Sequence, residues 1–180
     1  AVKRTVELNQ EHRKQITYVL CTNSINLTEE ILHLCKEYNI LISTSLDGPA
    51  FIHNHNRGKT DSYNRVIEGI NKVRNYLGAD KVSALMTTSE LSINHPKEIV
   101  DNYILNGFNN IFLRPLNPYG LALNSTNWNI YFDKFFEFYK QALNYIIDIN
   151  IKGKFFVEEF TAILLRKILT PFTTGFVDLQ

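Results

Sequence analysis

The sequence predicts an α/β fold, a barrel or partial barrel of about four parallel strands with flanking helices. Four apolar, β-rich runs carry this reading: QITYVLC (15–21), ILISTSL (40–46), KVSALMT (81–87) and NIFLRPL (110–116). They are continuous rather than alternating, the pattern of strands buried on both faces of a parallel sheet. Amphipathic helical patterns separate them, as right-handed β–α–β crossovers require. Polar residues collect after every strand rather than at one switch point, which favours a barrel over a doubly wound sheet.

The elements follow in order. AVKRTVELNQEHRKQ reads as the later part of an amphipathic helix with Val2, Val6 and Leu8 on its apolar side. No capping residue precedes it, so the chain is expected to start inside an element. TEEILHLCKEY (28–38) is a helix capped by Thr28 and ended by Asn39, with Ile31, Leu32, Leu34, Cys35 and Tyr38 inward. The Gly48-Pro49 turn opens segment 50–61, predicted as a long loop. DSYNRVIEGINKVRNYLG (61–78) carries an apolar stripe of Tyr63, Val66, Ile67, Ile70, Val73 and Leu77, with Gly78 at its end. HPKEIVDNYILNG (95–107) has Pro96 in its first turn and Gly107 as its stop. A long aromatic helix is predicted over 126–150 and another over 156–169, closed by Pro171. The expected organisation is a barrel core over 1–125 and a C-terminal helical segment over 126–180.

The chain has 180 residues, which suits one domain or a large part of one, and 44% apolar content supplies a core. A net charge of +1 gives no drive toward nucleic acid or an anionic membrane surface. No apolar run approaches membrane-span length, and the expected location is the cytoplasm. Cys21 and Cys35 are too far apart for a CxxC motif and read as reduced core thiols.

The strand ends hold the polar groups. They are Thr22, Asn23 and Ser24; Ser43, Ser45, Asp47 and Gly48; Thr87, Thr88, Ser89 and Glu90; and Arg114, Asn117, Tyr119 and Gly120. In a parallel barrel these ends share one functional rim. Each residue alone could be strand capping; agreement among four strands favours a site. Arg57 can fold back over the rim, where a guanidinium suits a carboxylate or phosphate, or it can pair with Asp47 or Asp61. His53 and His55 are spaced for a loop metal site, but no Cys, Asp or Glu stands beside them. No Ser-His-Asp order, HExxH, P-loop or GxGxxG occurs. An aldolase or hydrolase barrel would need a rim lysine or metal set, and Lys59 and Lys81 do not sit at strand C-termini.

ISTSLDGPAFIHNHNRGKTDSYNRVIEGI resembles the fourth-strand region of radical S-adenosylmethionine (radical SAM) enzymes of the peptide-modifying type, which include maturases with a cysteine-rich SPASM domain. The shared signature is a strand ending Ser-Leu-Asp-Gly, then Ile-His, then Arg, then a Ser-Tyr-x-x-Val-x-x-x-Ile helix. YVLCTN is similar to their third strand, VSALMTTSEL to the fifth and NNIFLRPLNPYGLA to the sixth, so the likeness runs over residues 15–122. LRPLNPYGLA and the final FTTGFVDLQ favour the His-Xaa-Ser system maturases as the subgroup.

The resemblance implies a partial TIM-like (β/α)6 barrel. It also implies roles: Ser45 and Arg57 on the methionyl carboxylate of S-adenosylmethionine, Asn23 and Asp47 near its ribose or the substrate, Met86 and Leu116 beside adenine, and Arg114 facing cofactor or peptide. His53 would be scaffolding. The full-length enzyme would modify a peptide or protein side chain through a 5′-deoxyadenosyl radical. This chain departs from the pattern by lacking the CxxxCxxC motif that holds the [4Fe–4S] cluster, and a Gly-Gly-Glu motif. It is therefore expected to be a fragment and catalytically silent alone; a degenerate, non-catalytic ligand- or peptide-binding barrel is the alternative. An unpaired edge at the first strand implies self-association.

Overall fold

The computed structural model describes residues 1–119 and 127–171. Gly120, the end of LRPLNPYGLA and the whole of FTTGFVDLQ lie outside the described residues. The elements in chain order are α1 (Val2–His12), β1 (Val19–Thr22), α2 (Glu29–Glu37), β2 (Leu41–Ser45), α3 (Ala50–Arg57), α4 (Ser62–Leu77), β3 (Val82–Leu85), α5 (Pro96–Leu105), β4 (Asn110–Ile111), α6 (Trp128–Ile151), β5 (Val157–Glu158) and α7 (Glu159–Leu169). The chain is α/β with parallel strands and flanking helices, as predicted. It forms two compact units, residues 1–46 with 61–84, and residues 47–60 with 85–180.

In the first unit, β1, β2 and β3 lie side by side in that order. β1 and β2 are parallel, in register from Val19↔Leu41 to Thr22↔Thr44. Ile42 is fully buried, whereas Val19 at the sheet edge is 53% exposed. α2 starts where the sequence places its cap: Thr28 Oγ1 accepts from the Ile31 N–H at 3.3 Å, and Leu32 and Cys35 are buried. α4 buries Val66, Gly69, Ile70 and Val73. Gly69 cannot be larger, because a Cβ there would lie 2.1 Å from the Ser24 carbonyl oxygen.

In the second unit, α5 begins with Pro96 and buries Ile99, Val100 and Tyr103. α6 buries Tyr131, Phe135, Phe138, Ala142, Ile146 and Ile149, spaced three and four apart along one face. Segment 50–61 is not a loop throughout. Pro49 leads into α3, Ile52 and His53 are buried, and Gly58 stops the helix at φ 63°. Two turns are too short to show a hydrophobic period, so only the flanking Pro and Gly signalled this helix.

The predicted fourth strand is regular only at Asn110–Ile111. Beyond it a single parallel bridge joins Thr88 to Pro115, whose missing N–H cannot extend a ladder. The predicted helix 156–169 gives up its first residues to β5, which pairs in parallel with β4 (Asn110↔Val157, Ile111↔Glu158). Among the described residues, no helix is long and apolar enough to cross a membrane.

Candidate functional site

The site begins where β2 ends. Gly48 adopts φ 126° and lies so close to α5 that a Cβ would meet Ile99 Cγ1 at 2.8 Å. Only glycine allows the chain to turn there. The turn launches α3, and its last residue, Arg57, returns to Asp47. Arg57 Nε donates to Asp47 Oδ2 and Nη2 donates to Oδ1, each at 2.8 Å. The Thr87 N–H donates to Oδ1 at 3.1 Å. The Asp47 side chain is 1% exposed and that of Arg57 36%. A carboxylate buried this deeply requires paired, charge-assisted donors, and here it has three.

His53 lies in the same cluster. It is buried, and its Nδ1 accepts from the Asp47 N–H at 3.2 Å, which leaves the ring proton on Nε2. Burial lowers the His53 pKa; the Arg57 charge adds to this and Asp47 opposes it. The fully buried Tyr103 phenol is pushed well above its ordinary value by burial, with the Asp47 charge contributing. His55 is exposed on α3 while His53 is buried, so the two do not form a chelating pair.

The two later strand ends of this unit are stitched together by a residue that sequence reasoning missed. The Thr88 N–H donates to the Arg114 carbonyl at 2.9 Å. Tyr131 on α6 donates its hydroxyl to the Thr88 carbonyl at 2.8 Å and accepts from the Leu116 N–H at 2.6 Å. Tyr131 read as one more apolar position of an aromatic helix, and nothing local distinguished it. Thr88 Oγ1 is buried with no partner among the described residues. Met86 is buried, whereas Arg114 and Leu116 are half-buried.

A second missed group is Glu158, 3% exposed. Its carboxylate accepts from the Leu113 N–H at 3.2 Å, the Thr161 N–H at 2.6 Å and the Tyr139 hydroxyl at 2.5 Å. Burial and then this carboxylate raise the Tyr139 pKa. The available signal was an acid three residues before Thr161 at the head of an apolar run, a helix-capping arrangement.

In the first unit, the Thr22↔Thr44 register brings the ends of β1 and β2 to the same edge of the sheet. Asn23 is exposed and its Oδ1 accepts from the Ile25 N–H at 3.2 Å, a local turn contact. Ser45 is half-buried. Thr44 Oγ1 and Ser24 Oγ are buried without partners among the described residues.

The residues present do not fit an iron–sulfur cluster. The chain has two cysteines, Cys21 exposed on β1 and Cys35 buried in α2 with its thiol pKa raised by burial. A cluster with one open iron takes three thiolates. Among the described residues, no group of three His, Cys, Asp or Glu side chains could hold a metal ion.

Comparison with solved structures shows the fold. The chain matches anSMEcpe, a radical SAM anaerobic sulfatase maturase, in its AdoMet-bound form, with TM-score 0.77 and 18% identity over 96% of this chain and 49% of that one. The same protein with AdoMet and the Kp18Cys peptide gives TM-score 0.73 and 18% identity over 93% of this chain and 48% of that one. The chain therefore has a fold closely matching that of radical SAM enzymes, which have a TIM-like barrel. An uncharacterized protein of Methanothermobacter thermautotrophicus is 31% identical over 132 residues, 73% of this chain and 47% of that protein. The chain thus spans about half the length of the proteins it matches. No protein-family model matches it.

Proposed function

We propose that this chain is part of a radical SAM enzyme that modifies a peptide or protein side chain. The observation carrying the proposal is the match, over 96% of the chain, to an AdoMet-bound maturase. S-adenosylmethionine would supply the hydrogen-abstracting radical chemistry of that family. The cluster ligands would come from sequence outside these 180 residues. Within the peptide-modifying group, LRPLNPYGLA points to the His-Xaa-Ser system subgroup.

The donor set suits the methionyl carboxylate of the cofactor. Ser45 offers a half-buried hydroxyl at a strand end. Arg57 keeps its Nε and Nη2 on Asp47, which fixes the guanidinium plane and leaves Nη1 for a second carboxylate. Asp47 acts in this reading by orienting Arg57, and His53 holds the Asp47 backbone. Asn23 would approach the ribose, Met86 and Leu116 would flank adenine, and Arg114 would serve cofactor or peptide. The exposed β1 edge supports self-association, to be read from concentration-dependent sedimentation.

Reconstitution with iron and sulfide tests the proposal. This chain alone should gain no absorbance near roughly 400 nm, where cysteine-ligated clusters absorb, while a chain extended upstream should. An extended protein that bound no cluster would leave the non-catalytic barrel as the reading, which the two-cysteine content already supports.

A further inference from the structure

The geometry points to a peptide-binding pocket on the second unit that takes an aromatic side chain next to a carboxylate. This rests on the peptide-modifying reading above and names the class of peptide. The pocket is a cavity of about 430 Å³ whose wall includes Phe112, Arg114, Phe132, Phe136, Tyr139 and Phe160. That volume lies in the range of small-ligand sites and holds an aromatic ring with adjoining backbone.

Three features of the wall select the occupant. The first is wet aromatic surface. Phe136 is 66% exposed, Phe160 38% and Phe132 37%. The Phe112 and Phe160 rings lie nearly parallel, with centroids 6.3 Å apart and planes 17° apart. Covering this surface with another ring is favourable by the area removed from water and by ring–ring geometry.

The second feature is an uncompensated cation. Among the described residues, Arg114 is the only charged one lining the pocket, and its side chain has no hydrogen bond or ion pair there. The two buried carboxylates described on the same unit are committed elsewhere, Asp47 to Arg57 and Thr87 and Glu158 to Leu113, Thr161 and Tyr139. The same bond occupies the Tyr139 hydroxyl, so that residue offers the pocket its ring. A guanidinium on a half-buried residue beside apolar walls favours an incoming carboxylate through charge-assisted hydrogen bonds.

The third feature is Asn117, which also lines the pocket. Its side-chain amide has both a donor and an acceptor, the complement of a peptide group. Rings, cation and amide together match an acidic–aromatic peptide rather than a bare hydrocarbon or a free anion.

The test is calorimetric titration of the full 180-residue chain with three capped tripeptides, acetyl-Asp-Phe-Asp-amide, acetyl-Asn-Phe-Asn-amide and acetyl-Asp-Ala-Asp-amide. The first should bind about tenfold more tightly than either control, the scale of one charge-assisted bond or one buried ring. Arg114→Gln should abolish the preference for Asp over Asn. Phe136→Ala, at an exposed position that leaves the fold intact by circular dichroism, should weaken only the Phe-containing peptides. Equal affinity for all three peptides, or a preference that survives Arg114→Gln, overturns the inference. If the peptides bind only after residues 172–180 are deleted, the pocket belongs to the chain's own segment and the inference is likewise overturned. A protein extended upstream that takes up a cluster and S-adenosylmethionine but shows no peptide preference defeats this inference alone. Peptide preference without cofactor uptake defeats the radical SAM reading instead.

Discussion

Two arginines of the same unit are used in opposite ways. Arg57 closes a bidentate pair onto a carboxylate that is 1% exposed. Arg114 lines an aromatic pocket and has no ion pair among the described residues. Both are single cations that follow an apolar run, and composition treats them alike. Their surroundings separate them. A buried Asp47 must be neutralised for the fold to persist, so Arg57 is first a structural cation. Among the described residues no buried carboxylate pairs with the Arg114 guanidinium, which leaves its charge for the proposed ligand.

Removing each charge tests that contrast. Arg57→Met leaves Asp47 buried and unpaired. Breaking such a pair costs ~3–5 kcal/mol when both partners are buried; with Arg57 partly in solvent, a loss of about 2–4 kcal/mol is expected. Chemical denaturation measures it, and Asp47→Asn in the same background should restore part of the loss. A loss no larger than that from Arg114→Gln would remove the distinction.

His53 supplies a pH dependence. Its folded pKa is lowered, chiefly by burial. The unfolded chain therefore takes up the His53 proton near pH 6.5 while the folded chain does not, and stability falls as pH drops below that value. The slope approaches about 1.4 kcal/mol per pH unit until the folded ring protonates. His53→Asn, which keeps an acceptor for the Asp47 N–H, should flatten the slope between pH 7 and 5. An unchanged slope would place the titration elsewhere.

Thr88→Val replaces a buried hydroxyl that has no partner among the described residues by a methyl of the same shape. It should stabilise the chain by about 1 kcal/mol, seen as a higher denaturation midpoint at constant m-value. The smallest effect belongs to Arg114→Gln, within about 0.5 kcal/mol of the parent in stability, as for substitutions that touch no buried partner.

The sequence made the α/β class legible, because three of its continuous apolar runs became strands of one sheet and Thr28, Pro96 and Gly78 stand at helix ends. It could not show α3, which is two turns long, or β5, which is two residues long; neither is long enough for a hydrophobic pattern to stand out by repetition. The Asp47–Arg57 pair stood among the alternatives for Arg57, but its burial depends on α5 and Thr87, which are distant in sequence. Tyr131 and Glu158 escaped notice for the same reason: each acts through backbone groups distant in sequence. The aromatic pocket was invisible because its rings come from the residue after β4, from α6 and from α7, and each reads locally as core.

The most direct test of the central claim is equilibrium dialysis of labelled S-adenosylmethionine against the folded chain extended upstream and reconstituted with iron and sulfide, and against its Ser45→Ala variant. Saturable uptake by the parent, weakened several-fold by the loss of one hydroxyl donor, is the expected result. A folded chain that takes up no S-adenosylmethionine, or a variant that binds it as well as the parent, would contradict the account.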